Sequence, residues 1–329
     1  MRTHTANEGV GTPLKSVKSV KSARSASRTR YVLANLYRCR YLYLMLLPVV
    51  IYFAVFQYGP MYGAILAFKD FNPMLGIWGS PWAGTRFFEQ FFNSYFFWRL
   101  IRNTLVISFL HILLGFPAPI ILALMLSELR SERYKRVVQT GIYLPWFISL
   151  VVAAGMILTF LSTRAGILNN IITTFGGDAI PFMTIPRYFP WIFAISSVWR
   201  EAGWGSIIFL AAIAGIDPGL HEAAVIDGAS RFKRIIYVTL PGIMPTIMIM
   251  FILRMGALFT VGFEKIMLLY NPQIFETADV IQTFVYRRGI LGFEFSFSTA
   301  VGLFNSLINM IVLIMFNTIA RKLGQASLW

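Results

Sequence analysis

Six long apolar stretches punctuate the chain, near residues 41–67, 105–126, 142–161, 188–216, 241–270 and 297–319. Each is long enough to supply the roughly 20 helical residues that cross a hydrocarbon layer about 30 Å thick. None alternates apolar and polar positions with the period of two required of a barrel strand in a membrane. The pattern predicts an all-α membrane protein with six transmembrane helices. The first run follows a basic segment, but it is too long for the core of a secretory signal, and no small-residue cleavage site follows AVFQYGPMYG. A retained helix over 41–67 is therefore expected.

The polar segments divide the rest. Residues 1–40, with PLKSVKSVKSARSASRTR, are Ser-rich and basic and lack a sustained apolar face, the composition of a disordered tail. Residues 68–101 form an expected external loop, rich in Phe and Trp suited to the interface and marked by turns at FNPMLGIWGSPWAG. The core is expected over 102–320, with an internal loop at 217–240, and 321–329 make a short C-terminal tail. SELRSERYKR reads as a tight charged connection between antiparallel neighbours, and no internal repeat is visible.

Composition agrees: 57% of the 329 residues are hydrophobic and only 13% charged, about half the charged share of an ordinary soluble domain. The net charge of +15 raises the question of nucleic acid, which the placement of the charges answers. Segments 1–40, 127–138, 217–240 and 320–329 together hold 18 Lys and Arg, whereas 68–104, 162–187 and 271–296 hold 8 in a similar length. The positive-inside rule puts both termini in the cytoplasm. The charge orients the chain and attracts anionic lipid; it does not call for nucleic acid. Cys39 is the only cysteine, so no intrachain disulfide can form.

Between the fourth and fifth apolar runs lies EAAVIDGASRFKRIIYVTLP, residues 222–241. Asp217 can cap a helix that has Pro218 at its first position. Gly228 can take the positive φ that ends that helix, and Ser230 can cap a second one running to Pro241. Periodicity alone equally admits an interfacial connector. No phosphate-binding G-x-x-x-x-G-K-[ST] loop, H-E-x-x-H zinc motif or G-x-S-x-G turn occurs. His4, His111 and His221 are too scattered in sequence to form an evident catalytic cluster, and no cofactor or metal site is expected in this chain. Any energy for uphill transport must come from a partner or an ion gradient.

The residues Glu222, Ala223, Ala224, Asp227, Gly228, Ala229 and Ser230, followed by Leu240 and Pro241, resemble the EAA signature of binding-protein-dependent ABC importer permeases. FEKIMLLYNP, DVIQTFVYRRG, AVGLFNSLINM and the terminal SLW look most like permeases for complex oligosaccharides. Typical sugar permeases carry L-T-x-G-G-P where this chain has Leu268, Leu269, Tyr270, Asn271 and Pro272, a departure that bears on the sugar. The resemblance implies a type I importer core preceded by one additional helix, in the inner membrane of a prokaryote. It implies a second, nonidentical permease subunit, two cytoplasmic ATPases that use ATP and magnesium, and an external solute-binding protein. It also implies that the 222–230 residues form the coupling helix that docks in a cleft of the ATPase. Composition alone would also admit a secondary transporter or a channel that works without ATP. A membrane-embedded enzyme lacks any recognisable nucleophile or metal cluster.

Ionisable residues inside membrane helices mark functional sites or pair with one another. Arg200 and Glu201 lie in the fourth run and Arg254 in the fifth. Counted at about 1.5 Å per residue, Arg200 is about 24 Å from Ile216 and Arg254 about 20 Å from Pro241, so the three fall at similar depth. Ser197, Glu201 and Trp204 share one helix side, with Arg200 beside it. The resemblance, counted without gaps from Glu222, assigns the sugar-contacting positions to Ser197, Arg200, Glu201, Trp204 and Arg254. Two arginines against one carboxylate point to an acidic sugar, such as a uronate; pairing of Glu201 with an arginine is the alternative role. Glu264 and Lys265 are expected to satisfy each other.

Overall fold

A computed structural model describes residues 38–329; the expected disordered tail falls mainly outside them. Among the described residues the chain is helical, and its only β feature is an isolated bridge between Lys69 and Trp82. Residues up to Gly63 and residues Ala64–Trp329 form two compact units. The first is dominated by α1 (Arg40–Phe68), which is apolar on every side and has no buried residue before Ala67. Such a surface suits hydrocarbon and not water. Pro60 has no N–H to offer the preceding turn, which widens into a π-helical stretch at Phe53–Tyr58.

The second unit holds α2 (Phe97–Ser127), α3 (Glu132–Phe147), α4 (Leu150–Phe160), α5 (Phe189–Ala214), α6 (Pro218–Ile226), α7 (Arg231–Gly242), α8 (Met244–Gly256), α9 (Phe263–Leu269), α10 (Ile281–Tyr286) and α11 (Phe295–Lys322). Three helices, α1, α2 and α11, are each long and apolar enough to cross a membrane, and up to six spans result if each bent pair is one crossing. The helical class agrees with the pattern of apolar runs; the count of six depends on those bends.

Each bend has a local cause. Between α3 and α4 the chain turns by 98°: Pro145 lies in the last turn of α3, Ile148 is extended, and Ser149 caps α4 by accepting from the Val152 N–H. Between α5 and α6 it turns by 73°, at Asp217 and Pro218. Between α7 and α8 it turns by 61°, at Ile243 just before Pro245. The helix expected to stop at Pro241 runs on to Gly242, the turn before the proline widening into a π-helical stretch at Ile235–Thr239.

The interior is aromatic and small by turns. One apolar cluster joins Ile107, Ile157, Phe189, Phe193 and Ile266, and a second joins Phe91, Leu100, Phe284, Phe297 and Val301. Helices α3 and α5 touch backbone to backbone at Gly203. A Cβ built there would lie 1.9 Å from the Ile142 carbonyl oxygen, so no other residue fits.

The segment between α9 and α11 is latched onto α2. Asp279 is fully buried; its carboxylate accepts from Arg287 at 2.7 Å, Arg99 at 3.4 Å and the Thr283 hydroxyl at 2.8 Å. Asn103 donates to the carbonyls of Glu276 and Asp279, and Thr104 accepts from the Ile281 N–H. Removing the carboxylate would leave two guanidiniums facing each other, a loss of about 3–5 kcal/mol for a broken buried pair. Asp279→Ala is expected to lower the melting temperature of the purified complex by several degrees, as followed by scanning fluorimetry. A melting curve that does not move would mean the latch carries no stability.

Candidate functional site

The polar loop that joins α5 to α8 is built by its own caps. Asp217 accepts from the Gly219 N–H at 2.9 Å, with Pro218 at the first position of α6. At the far end Gly228 has φ +72°. Its N–H donates to the Val225 carbonyl at 3.0 Å and that of Ala229 to the Ala224 carbonyl at 2.9 Å, the Schellman pairing that a left-handed residue makes possible. Ser230 then starts α7 by accepting from the Lys233 N–H at 3.4 Å.

The outer face of this loop is uncovered. Glu222, Ala223, Asp227, Gly228 and Ser230 are exposed, and Ala224 and Ala229 partly so. Among them stand Ile226 at 85% exposure and Phe232 at 71%. Exposed apolar and acidic side chains thus share this loop, Ile226 and Phe232 with Glu222 and Asp227. The motif residues were legible in sequence; the outward aim of Ile226 and Phe232 was not.

A second constellation lies between α2, α5 and α8. The Arg254 guanidinium is 2.6 Å from His111 Nε2 and 3.8 Å from Glu201 Oε2. His111 Nε2 in turn is 3.3 Å from Glu201, so guanidinium, imidazole and carboxylate meet at one point. These three side chains, with Ser108 and Thr260, line a cavity of about 210 Å³. Glu201 and Arg254 remain more than a third exposed to it, whereas His111 is largely buried.

Nearby, Lys265 is buried and donates to the Phe193 carbonyl at 2.9 Å and to the Ser197 hydroxyl at 2.6 Å. Its ammonium also stands 4.6 Å from the centre of the Phe193 ring. The expected Glu264–Lys265 pairing is therefore corrected: Glu264 is exposed on the opposite side of α9, because adjacent residues in a helix point about 100° apart. Ser197 is buried and already bonded to Phe193 and Lys265, so it holds the lysine in place.

Arg200 and Trp204 look toward α3. The Arg200 guanidinium lies 5.0 Å from the Trp146 ring centre, and Trp146 stacks on Trp204 at 5.8 Å with 3° between the planes. The buried Nε of Arg200 has no hydrogen-bond partner among the described residues. The five sequence candidates thus separate: Glu201 and Arg254 meet, Ser197 reaches the same neighbourhood through Lys265, and Arg200 and Trp204 form an aromatic stack. His111 and Lys265 are the members that sequence reasoning missed. The available signal was that each is an ionisable residue in an otherwise apolar run.

Comparisons with known proteins agree with this architecture. Protein LplB of Bacillus subtilis (strain 168) is 43% identical over 297 residues, which covers 90% of this chain and 93% of the relative. The polygalacturonan/rhamnogalacturonan transport system permease protein YteP of the same organism is 40% identical over 302 residues, covering 92% of this chain and 94% of its own. Crystal structures of a bacterial ABC transporter involved in the import of the acidic polysaccharide alginate superpose with a TM-score of 0.82 at 43% identity, covering 89% of this chain and 99% of that one. In complex with a periplasmic protein bound to an alginate pentasaccharide, the values are 0.83 and 42%, over 90% and 99%. The family model for the inner membrane component of binding-protein-dependent transport systems matches residues 115–325, and the chain belongs to that family.

Proposed function

We propose that the chain is the permease subunit of an ATP-driven importer and passes an acidic oligosaccharide across the membrane. The observation that carries this reading is the charge arrangement around the cavity. One carboxylate, Glu201, is set among Arg254, His111 and Lys265, with Arg200 close by and short of a partner. The excess is cationic, and a guanidinium binds carboxylates bidentately. The Trp146–Trp204 stack offers a flat apolar surface suited to a pyranose ring. The polygalacturonan/rhamnogalacturonan permease and the alginate transporter support an acidic sugar in particular.

In this reading the chain works with a second, nonidentical permease, two cytoplasmic ATPases that bind ATP and magnesium, and an external binding protein. The exposed α6–α7 knob docks on an ATPase, and the chain itself hydrolyses nothing. Reconstituted in vesicles with its partners, the importer should take up a tetragalacturonide well in preference to a neutral galactose tetramer. Equal uptake of the two would sink the acidic-substrate reading.

In the same reading both termini lie in the cytoplasm. In a Cys39→Ser background, a cysteine at Trp82 should react with an impermeant maleimide in intact cells, and one at Ile226 should react only after lysis. Labelling of Ile226→Cys in intact cells would reverse the orientation.

A further inference from the structure

A second cavity, of about 570 Å³, lies between α10 and α11, distinct from the charged cluster's own cavity. Its volume is that of a small-molecule site, and one part of its lining is polar. Ser298, Thr299 and Ser306 line it, and each directs its hydroxyl proton at a backbone carbonyl: Val285 at 3.2 Å, Phe295 at 2.7 Å and Gly302 at 3.0 Å. What these hydroxyls turn outward is therefore lone pairs. The side-chain oxygens of Gln282 and Asn305 are buried in the same wall without a hydrogen-bond partner, and Asn305 is only 8% exposed. Each of these two side chains also carries an amide NH2, so the wall brings hydroxyl lone pairs and amide groups together and suits a ligand that both donates and accepts. A carboxylate, which only accepts, would leave the hydroxyl lone pairs unmet, and among the described residues no charged side chain lines the space. Across from the polar wall, the rings of Phe263 and Tyr286 meet at 5.5 Å and give an apolar surface.

The two cavities are neighbours. Gly262 lines the charged one and Phe263 this one. Asn309, one turn beyond Asn305 on α11, accepts from the Phe259 N–H and donates to the Thr260 hydroxyl, and Thr260 lines the charged cavity. A line of polar groups therefore runs along α11 to the rim of the charged site.

We propose that the α10–α11 cavity is a subsite for the hydroxyl groups of a pyranose ring, recognised by the hydroxyls of Ser298, Thr299 and Ser306 and the amides of Gln282 and Asn305. The proposal rests on the reading that this chain passes an oligosaccharide; it separates recognition of sugar hydroxyls from recognition of sugar carboxylates. The complete importer in vesicles tests it with three probes: tetragalacturonide, its O-acetylated form with the hydroxyl donors capped, and its methyl ester with the carboxylates masked. Asn305→Leu should bring the ratio of free-hydroxyl to O-acetylated uptake down about tenfold toward unity, while the ratio of free acid to methyl ester stays as in the parent. Gly302→Leu should do the same by filling the space, since nothing lies within 4 Å of a Cβ there, and it serves if Asn305→Leu fails to assemble. The binding protein is common to all arms, so a changed ratio belongs to the permease. Unchanged hydroxyl ratios in both variants would show a cavity that holds only water and would overturn the subsite. If the parent refuses the acid but accepts a galactose tetramer, the acidic reading fails separately, and the same hydroxyl ratio is then read on that neutral sugar and its O-acetylated form.

Discussion

Gly228→Val is expected to reduce substrate-stimulated ATP hydrolysis and uptake to background while the permease still inserts in the membrane. The α6 turn holds Gly228 at φ +72°, where an L-residue costs roughly 1–2 kcal/mol and a β-branched one is a severe outlier. Nothing among the described residues crowds the position, so the strain falls on the backbone and changes the angle at which Ile226 and Phe232 project. Gly228→Ala, with the smaller penalty, should retain partial coupling. Glu222→Lys tests the same surface by charge, since the exposed carboxylate is proposed to meet a basic group of the ATPase. Coupling measured in reconstituted complexes that stays at the parent level in both Gly228→Val and Glu222→Lys would remove the docking role from this loop.

Arg254→Met separates recognition from structural pairing in the charged cluster. Methionine keeps much of the apolar bulk and loses the charge. If the guanidinium receives a sugar carboxylate, uptake of a tetragalacturonide should fall on the order of 30- to 100-fold, the equivalent of a charge-assisted bond of roughly 2–3 kcal/mol. A neutral tetramer should be affected far less, and complex yield should hold. If Arg254 serves only to neutralise Glu201, from which it stands 3.8 Å, the loss should be equal for both sugars and accompanied by poor assembly. Glu201→Gln should then restore both, because the stranded carboxylate is gone. Uptake of the two sugars and yield of complex, measured for both single variants and the double variant, decide between the two roles. Equal loss that Glu201→Gln rescues would mean the acidic-substrate idea is wrong.

What sequence disclosed and what it concealed follow the range of the forces involved. The α6–α7 loop was readable because its caps act within four residues: Asp217 on Gly219, Gly228 on Val225 and Ser230 on Lys233. The meeting of Glu201 and Arg254 followed from depth along two helices, although the 61° bend between α7 and α8 was not anticipated. In sequence His111 reads only as one of three scattered histidines, because its partner Arg254 is 143 residues away. Lys265 was misassigned to its sequence neighbour because adjacency in a helix was mistaken for contact; its actual partners lie on α5. The bends were missed because hydropathy reports how apolar a segment is and carries no direction, even though Pro145 and Pro245 stood where two of them occur.

The division between straight and bent helices has a consequence for how the protein is made. The helices that qualify as spans unaided, α1, α2 and α11, can leave the insertion machinery into lipid one at a time. The bent pairs qualify only jointly, and they include Arg200, Glu201 and Arg254. Each such charge at a helix centre opposes entry into lipid by about 2.5–3.5 kcal/mol. These segments must therefore be retained at the exit until α2 and its neighbours supply the carboxylate, imidazole and carbonyl partners seen in the finished bundle. The residues proposed to make the pathway polar enough to serve as a route for sugar are the same ones that make its walls dependent on companions during biogenesis.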